Sequence, residues 1–220
     1  MPLMQVFRGL GAGFGHNASP PAYLNTMAHQ VVMQWYQAMI LDGRGYQVRA
    51  GTITTPLVGD VAITDTAAEF CCDAASGTTI IPIAQIVSIR LSTGTLHEYA
   101  TKSVATVSSA GTAFTPLPLK SDGAAAVSTA RVQAAGAVTV TAELATTTLR
   151  HWSWANPAAG FTGALPGDQH QEWYPASSNG SPILVGPRCL YTQIAATGTG
   201  PSYYANLDYI EGPTLLFNPS

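Results

Sequence analysis

The chain has 220 residues, a formal net charge of −3 and only 10% charged residues, against roughly 25% in an average soluble domain. With 46% hydrophobic residues and a mean hydropathy of +0.16, it is the reverse of a disordered composition. The nine Lys and Arg are scattered from Arg8 to Arg188 with no basic tail, which argues against direct nucleic-acid binding, because phosphate neutralisation needs clustered cations.

Residues 1–18 read as a Gly-rich extended arm carrying Phe7 and Phe14. Its stretch GLGAGFG misses the G-x-G-x-x-G spacing of a phosphate loop and follows no strand. The same segment lacks a charged start followed by an apolar core, so no secretory leader is expected. Residues 19–43 are predicted as one long helix, with Ser19 at the N-cap, Pro20 and Pro21 at the entry and Asp42-Gly43 closing it. Leu24, Met27, Val31, Trp35 and Met39 recur at helical spacing, and Tyr23, Val32, Tyr36 and Ile40 widen the stripe. No charged residue lies between Ser19 and Leu41. Such a helix is either covered by another subunit or laid across the open face of its own sheet. Polar residues Asn25, His29, Gln30, Gln34 and Gln37 interrupt it, so a membrane span is not expected.

From about Gln47 the hydrophobic period changes to two, and residues 44–220 read as a β-sandwich body. Strands are predicted at Gln47–Thr54, Val58–Thr64, Thr66–Cys72, Thr79–Leu91, Leu96–Val107, Ala126–Val132, Ala137–Ala142, Thr147–Trp154, Ile183–Val185, Cys189–Ala196 and Tyr203–Glu211. In AVTVTA, Val138 and Val140 share one face and Thr139 and Thr141 the other. The last two strands flank a turn at Gly198–Pro201 and read as a closing pair. Residues 161–182 are expected to be a long loop, carrying Trp173 and Tyr174. Many short strands separated by turns, with little helix, indicate a mainly β, antiparallel sandwich, and a jelly roll suits the strand count best.

Three cysteines form no disulfide framework. Cys71 and Cys72 are adjacent and point to opposite faces of a strand, and Cys189 can join one only if the fold brings it near. Buried free thiols are the expected state.

Catalytic signatures are absent. Asp168, His170 and Glu172 alternate as a metal-binding strand would, but no second imidazole lies nearby, and the two-histidine pattern of cupin-type enzymes is missing. His97-Glu98 lacks the second histidine of H-E-x-x-H, and no G-x-S-x-G or Walker sequence occurs. The reading is therefore a non-enzyme with no catalytic residues, no metal and no cofactor. Aromatic residues Trp152, Trp154, Trp173 and Tyr174 leave a glycan platform open as an alternative.

The arm, the Ala/Thr/Gly-rich strands such as TKSVATVSSAGTAFTPLPL and the closing CLYTQIAATGTGPSYYANLDYIEG together resemble jelly-roll virion structural proteins, in particular phage capsid or capsid-decorating proteins. That resemblance implies self-association, with trimers as the expected unit, contacts with other virion proteins, and a virion location after synthesis in host cytoplasm. Phe7, Phe14, Tyr23, Met27, Trp35, Trp173 and Tyr174 are then the expected interface residues. A tail-associated, glycan-binding β-protein is the alternative function, and a cupin-like metalloenzyme a more distant one. The first 40 residues hold a single basic side chain, Arg8, where shell proteins facing packaged genome often carry a basic arm; this points to an outer or decorating layer, or to a shell whose interior contact is made by something else.

Overall fold

The computed structural model describes residues 35–52, 54–91, 96–133, 136–141, 146–155, 169–172 and 181–217. Within them lie a helix α1 (Trp35–Leu41), sixteen strands and a short terminal helix α2 (Thr214–Phe217). The strands are β1 (Gly45–Ala50), β2 (Leu57–Val58), β3 (Ala67–Ala68), β4 (Phe70–Ala74), β5 (Thr78–Leu91), β6 (Leu96–Val104), β7 (Ser109–Ala110) and β8 (Thr112–Phe114). They continue with β9 (Leu117–Pro118), β10 (Thr129–Val132), β11 (Val138–Thr139), β12 (Thr146–Ala155), β13 (Gln169–Glu172), β14 (Leu184–Val185), β15 (Arg188–Ala196) and β16 (Ser202–Pro213).

The molecule is mainly β, and every pairing between these strands is antiparallel. A seven-stranded sheet runs β13-β5-β16-β1-β9, with β14 added to β5 and β2 to β16. A six-stranded sheet runs β12-β6-β15-β4-β10-β8. A small third sheet runs β3-β11-β7.

One hydrophobic core lies between the two large sheets. Val48, Val87, Tyr203, Leu207 and Tyr209 enter it from the first, and Phe70, Cys72, Tyr99, Leu190 and Ile194 from the second. Alternation along each strand explains the choice, since i and i+2 share a face. In β5 the alternation is reset. Ile80 faces the core and Ile81 the outside, but a register shift opposite Asp208 and Tyr209 inserts one residue, after which Val87 and Ile89 point inward. Such a bulge re-aims every side chain beyond it. Pro82 causes no loss of pairing on the β5 side away from β16, because it falls between the segments taken by β14 (Thr79, Ile80) and β13 (Ala84–Val87).

Each large sheet is also covered outside. Ala68, Val138 and Val140 of the small-sheet region pack with Cys71, Val104, Cys189 and Tyr191 on the outer face of the six-stranded sheet. Met39 of α1 packs with Ile81 and Ile210 on the outer face of the seven-stranded one, joined by Trp35, Ile40, Ile83 and Phe217. This double covering is why β15 is buried along eight consecutive positions.

Several expectations change. The closing pair β15 and β16 is not a hairpin within one sheet: at Gly198–Pro201 the chain passes from the six-stranded to the seven-stranded sheet. A turn signal marks where a chain reverses, and it does not tell whether the two arms then bond to each other. Within the 161–182 segment, read as mostly loop, the described residues Gln169–Glu172 form a strand paired with β5. The strands expected at Val58–Thr64 and Thr66–Cys72 shorten to β2, β3 and β4, while β7, β8 and β9 were not foreseen. Of the predicted 19–43 helix, the described part is Trp35–Leu41, closed as expected by Asp42-Gly43, with Gly43 at φ +76° and Arg44 N–H donating to Met39 O at 2.9 Å. The rest of that helix and the 1–18 arm lie outside the described residues.

Candidate functional site

Of the expected interface residues, Phe7, Phe14, Tyr23, Met27, Trp173 and Tyr174 lie outside the described residues, as does Asp168. Trp35 is described and half-buried, with its ring 6.4 Å from that of Phe217 in an edge-on arrangement. The apolar stripe of α1 therefore rests on its own sheet through Trp35 and Met39, with the latter 2% exposed. Trp35–Leu41 is thus laid across its own sheet. In the pairing of β13 with β5, His170 stands in register with Ile86 and Glu172 with Ala84.

The described surface beyond the helix is in places apolar. Leu41, Val58, Val61, Leu117, Val127, Ile183 and Leu215 are at least half exposed. Leu117 belongs to β9, which occupies the edge of the seven-stranded sheet next to β1. Thr112–Phe114 lies at the matching edge of the six-stranded sheet, so the 112–118 strap steps from one sheet to the other. At the opposite edge, the ten-residue β12 pairs with β6 at nine positions, with a register shift between Thr148 and Arg150, and has no second partner strand among the described residues. No helix of the described residues is long and apolar enough to cross a membrane.

Two of the buried polar groupings among the described residues bear on a site. Between the sheets, Gln85 Nε2 donates to Thr192 Oγ1 at 2.7 Å, and Thr101 Oγ1 donates to Tyr99 OH at 2.8 Å and approaches Gln85 Oε1 at 3.3 Å. This uncharged network ties β5 to β6 and β15 across the core, and burial pushes the Tyr99 hydroxyl well above its ordinary pKa. A side chain with both donor and acceptor satisfied in this way costs little to bury.

The second grouping is on the outer face of the six-stranded sheet. Cys71 and Asp73 alternate along β4, so they share that face, and Cys189 of β15 stands directly opposite Asp73. On the other flank Arg131 of β10 stands opposite Cys71. Ser108, in the loop after β6, closes the group from above. Its backbone N–H donates to Asp73 Oδ1 at 2.9 Å, its hydroxyl donates to Asp73 Oδ2 at 2.6 Å, and its Oγ lies 3.0 Å from Cys71 Sγ. Arg131 Nε is 3.7 Å from Asp73 Oδ2. Both thiols are free and buried. Burial, with Cys71 and Asp73 close by, holds the Cys189 thiol well above its ordinary pKa.

The sequence separated Cys71 and Cys72 onto opposite faces, as the structure bears out: Cys72 lies in the core between the sheets and Cys71 in the outer cluster. It could not bring Cys189 or Ser108 to Cys71, because both contacts depend on the pairing of β4 with β15 and on the path after β6. The one legible signal was the C-x-D spacing of Cys71 and Asp73. No protein-family model matches the chain, and no curated protein or solved structure matches it significantly.

Proposed function

We propose that the chain is a virion structural protein with a jelly-roll body, of the kind that forms or decorates a phage capsid, and that it works by self-association without catalysis. The observation that carries this reading is the nesting of its strand pairs. Taking β1, β4, β5, β6, β12, β13, β15 and β16 as the eight principal strands, the first pairs with the eighth, the second with the seventh, the third with the sixth and the fourth with the fifth. A long hairpin rolled up on itself gives this order, which supports a jelly roll, a frequent architecture among capsid proteins. The same architecture also serves lectins and cupins, so the function rests on the surface and interior as well.

The core between the sheets is filled by Phe70, Tyr99, Leu190, Ile194, Tyr203, Leu207 and Tyr209, which suits a building block better than a ligand-holding barrel. The low charge of the chain allows wide contact faces to be buried without desolvating ions. The ten-residue β12 edge and the exposed Leu117, Val127 and Ile183 supply backbone and apolar surface for such contacts. Many modest interfaces repeated by symmetry hold a shell together without any single strong one.

The test is the mass of the purified full-length chain in solution over a concentration and salt series, alongside a chain lacking residues 1–18. Discrete oligomers, trimers first, that weaken on removal of the arm are the expected result. A monomer at every concentration, unchanged by the truncation, overturns the reading.

A further inference from the structure

We propose that Cys71, Asp73 and Cys189 form a binding site for one thiophilic divalent cation of the zinc class. The two sulfurs and a carboxylate oxygen all lie within 4.8 Å of one another, and all three residues are buried. A tetrahedral zinc ion with bonds of about 2.3 Å to sulfur and 2.0–2.2 Å to oxygen needs donors roughly 3.5–3.8 Å apart. Closing the set therefore asks for a contraction of about 1 Å, within the reach of side-chain rotation.

A disulfide accounts for the arrangement less well. Cys71 is paired with Tyr191 and Cys189 with Asp73, so the two cysteines are diagonal neighbours. Diagonal Cβ atoms in an antiparallel pair sit at about 7–8 Å or a little less, whereas a disulfide needs about 3.5–4.5 Å. An ion between the sulfurs spans that gap where a covalent bond does not.

The surroundings fit the same reading. Ser108 fixes the Asp73 carboxylate through two hydrogen bonds, as outer groups orient the ligands of metal sites. Two thiolates and a carboxylate around a divalent cation leave one negative charge, and the Arg131 guanidinium beside Asp73 offsets it. A recess of about 150 Å³ lined by Asp73, Val107, Ser108, Thr129 and Arg131 borders the Asp73 side of the group. Binding releases the two thiol protons to solvent, so affinity rises with pH. Cys72 points into the opposite core and takes no part.

The experiment is titration of the reduced full-length chain with Co²⁺ under anaerobic conditions, followed by displacement with Zn²⁺. One equivalent of Co²⁺ is expected to bring up sulfur-to-cobalt charge-transfer absorption in the near ultraviolet together with the visible bands of a tetrahedral ion. Zn²⁺ should abolish both and raise the melting temperature. Cys189→Ser should lose the charge-transfer band, and Asp73→Asn should keep it with weaker binding. If Cys189→Ser fails to fold, the wild-type titration decides alone, since the band itself requires a thiolate ligand. Absence of that band in the folded wild-type chain, or a band of equal strength in folded Cys189→Ser, overturns the proposal.

Discussion

Glu211 holds the backbone of Ser128 from 83 positions away. Its carboxylate accepts Ser128 N–H at 3.0 Å and Val127 N–H at 2.7 Å, while Ser128 Oγ lies 2.6 Å from Tyr209 OH. Glu211 belongs to the seven-stranded sheet, and the chain it grips continues directly into β10 of the six-stranded one. The contact is thus a clamp between layers, made by an acid only 5% exposed. Glu211→Ala leaves two N–H groups without their acceptor and is expected to cost about 2–4 kcal/mol. Glu211→Gln retains one acceptor and should cost about half of that. Urea midpoints of the two variants, compared with wild type at unchanged slope, check the order.

Glu69 is a second buried acid, and its effect is on pH dependence. Its oxygens accept Ile194 N–H at 2.8 Å and Asp60 N–H at 3.2 Å. Burial, with the Asp60 charge nearby, outweighs these bonds and pushes its carboxyl from 4.5 up to about 8. Tyr203 faces the same region, and its hydroxyl is raised by burial and by the charges of Glu69 and Asp60. A folded pKa above the unfolded one means the native state holds the proton more tightly. The stabilising contribution is full below about pH 4.5 and is lost as pH rises through about 8. Glu69→Gln should flatten stability between those limits while losing about 1 kcal/mol at the acid end through the weaker Asp60 bond. Denaturation across pH in the presence of a chelator measures it, and parallel curves for the two proteins would refute the assignment.

The core and the proposed contact surface should respond differently to truncation. Leu207 is 1% exposed between the large sheets, whereas Leu117 is 50% exposed on the β9 edge. Leu207→Ala is expected to cost about 2–5 kcal/mol, and Leu117→Ala less than about 0.5 kcal/mol in dilute solution. If the surface reading is right, Leu117→Ala weakens association at concentrations where the wild-type chain forms oligomers. Thermal melts and sedimentation on the same pair of variants separate the two effects.

The crossing between β15 and β16 depends on two glycines for different reasons. A Cβ on Gly200 would meet Gly59 O at 1.7 Å, a backbone atom with no freedom to retreat. Gly198 has open space around it but a φ of +90°. Gly198→Ala should therefore cost about 1–2 kcal/mol from backbone strain, while Gly200→Ala should cost distinctly more by prising apart the 59–60 segment and the turn. A Gly200→Ala protein as stable as Gly198→Ala would show that the close approach relaxes cheaply.

Much of this architecture could be read from residue order, and the reason is local. Alternation in AVTVTA put Val138 and Val140 on the buried side, where they are 0% and 4% exposed, because period two is a property of the strand itself. The limits of β5, β6, β15 and β16 came within a few residues for the same reason. What stayed hidden was non-local. The Thr112–Pro118 strap has no periodicity, being too short for one, and it is ordered by the edges it meets. The bulge in β5 exists only relative to Asp208 and Tyr209. The Cys71–Asp73–Cys189 cluster needs the register of β4 on β15 before its members become neighbours.

The nesting of strand pairs also sets when the molecule can form. Gln47 of the first principal strand and Asp208 of the last are joined by a 2.7 Å hydrogen bond, although they stand 161 positions apart. On a ribosome adding about 5–20 residues per second, β1 must wait roughly 8–30 s for the partner that completes its sheet. Until Ser202–Pro213 emerges, β5 and β1 cannot be joined into one seven-stranded sheet, because β16 lies between them. The final strand is thus the piece the seven-stranded sheet waits for: β1 has no neighbour on that side until Ser202–Pro213 has been made.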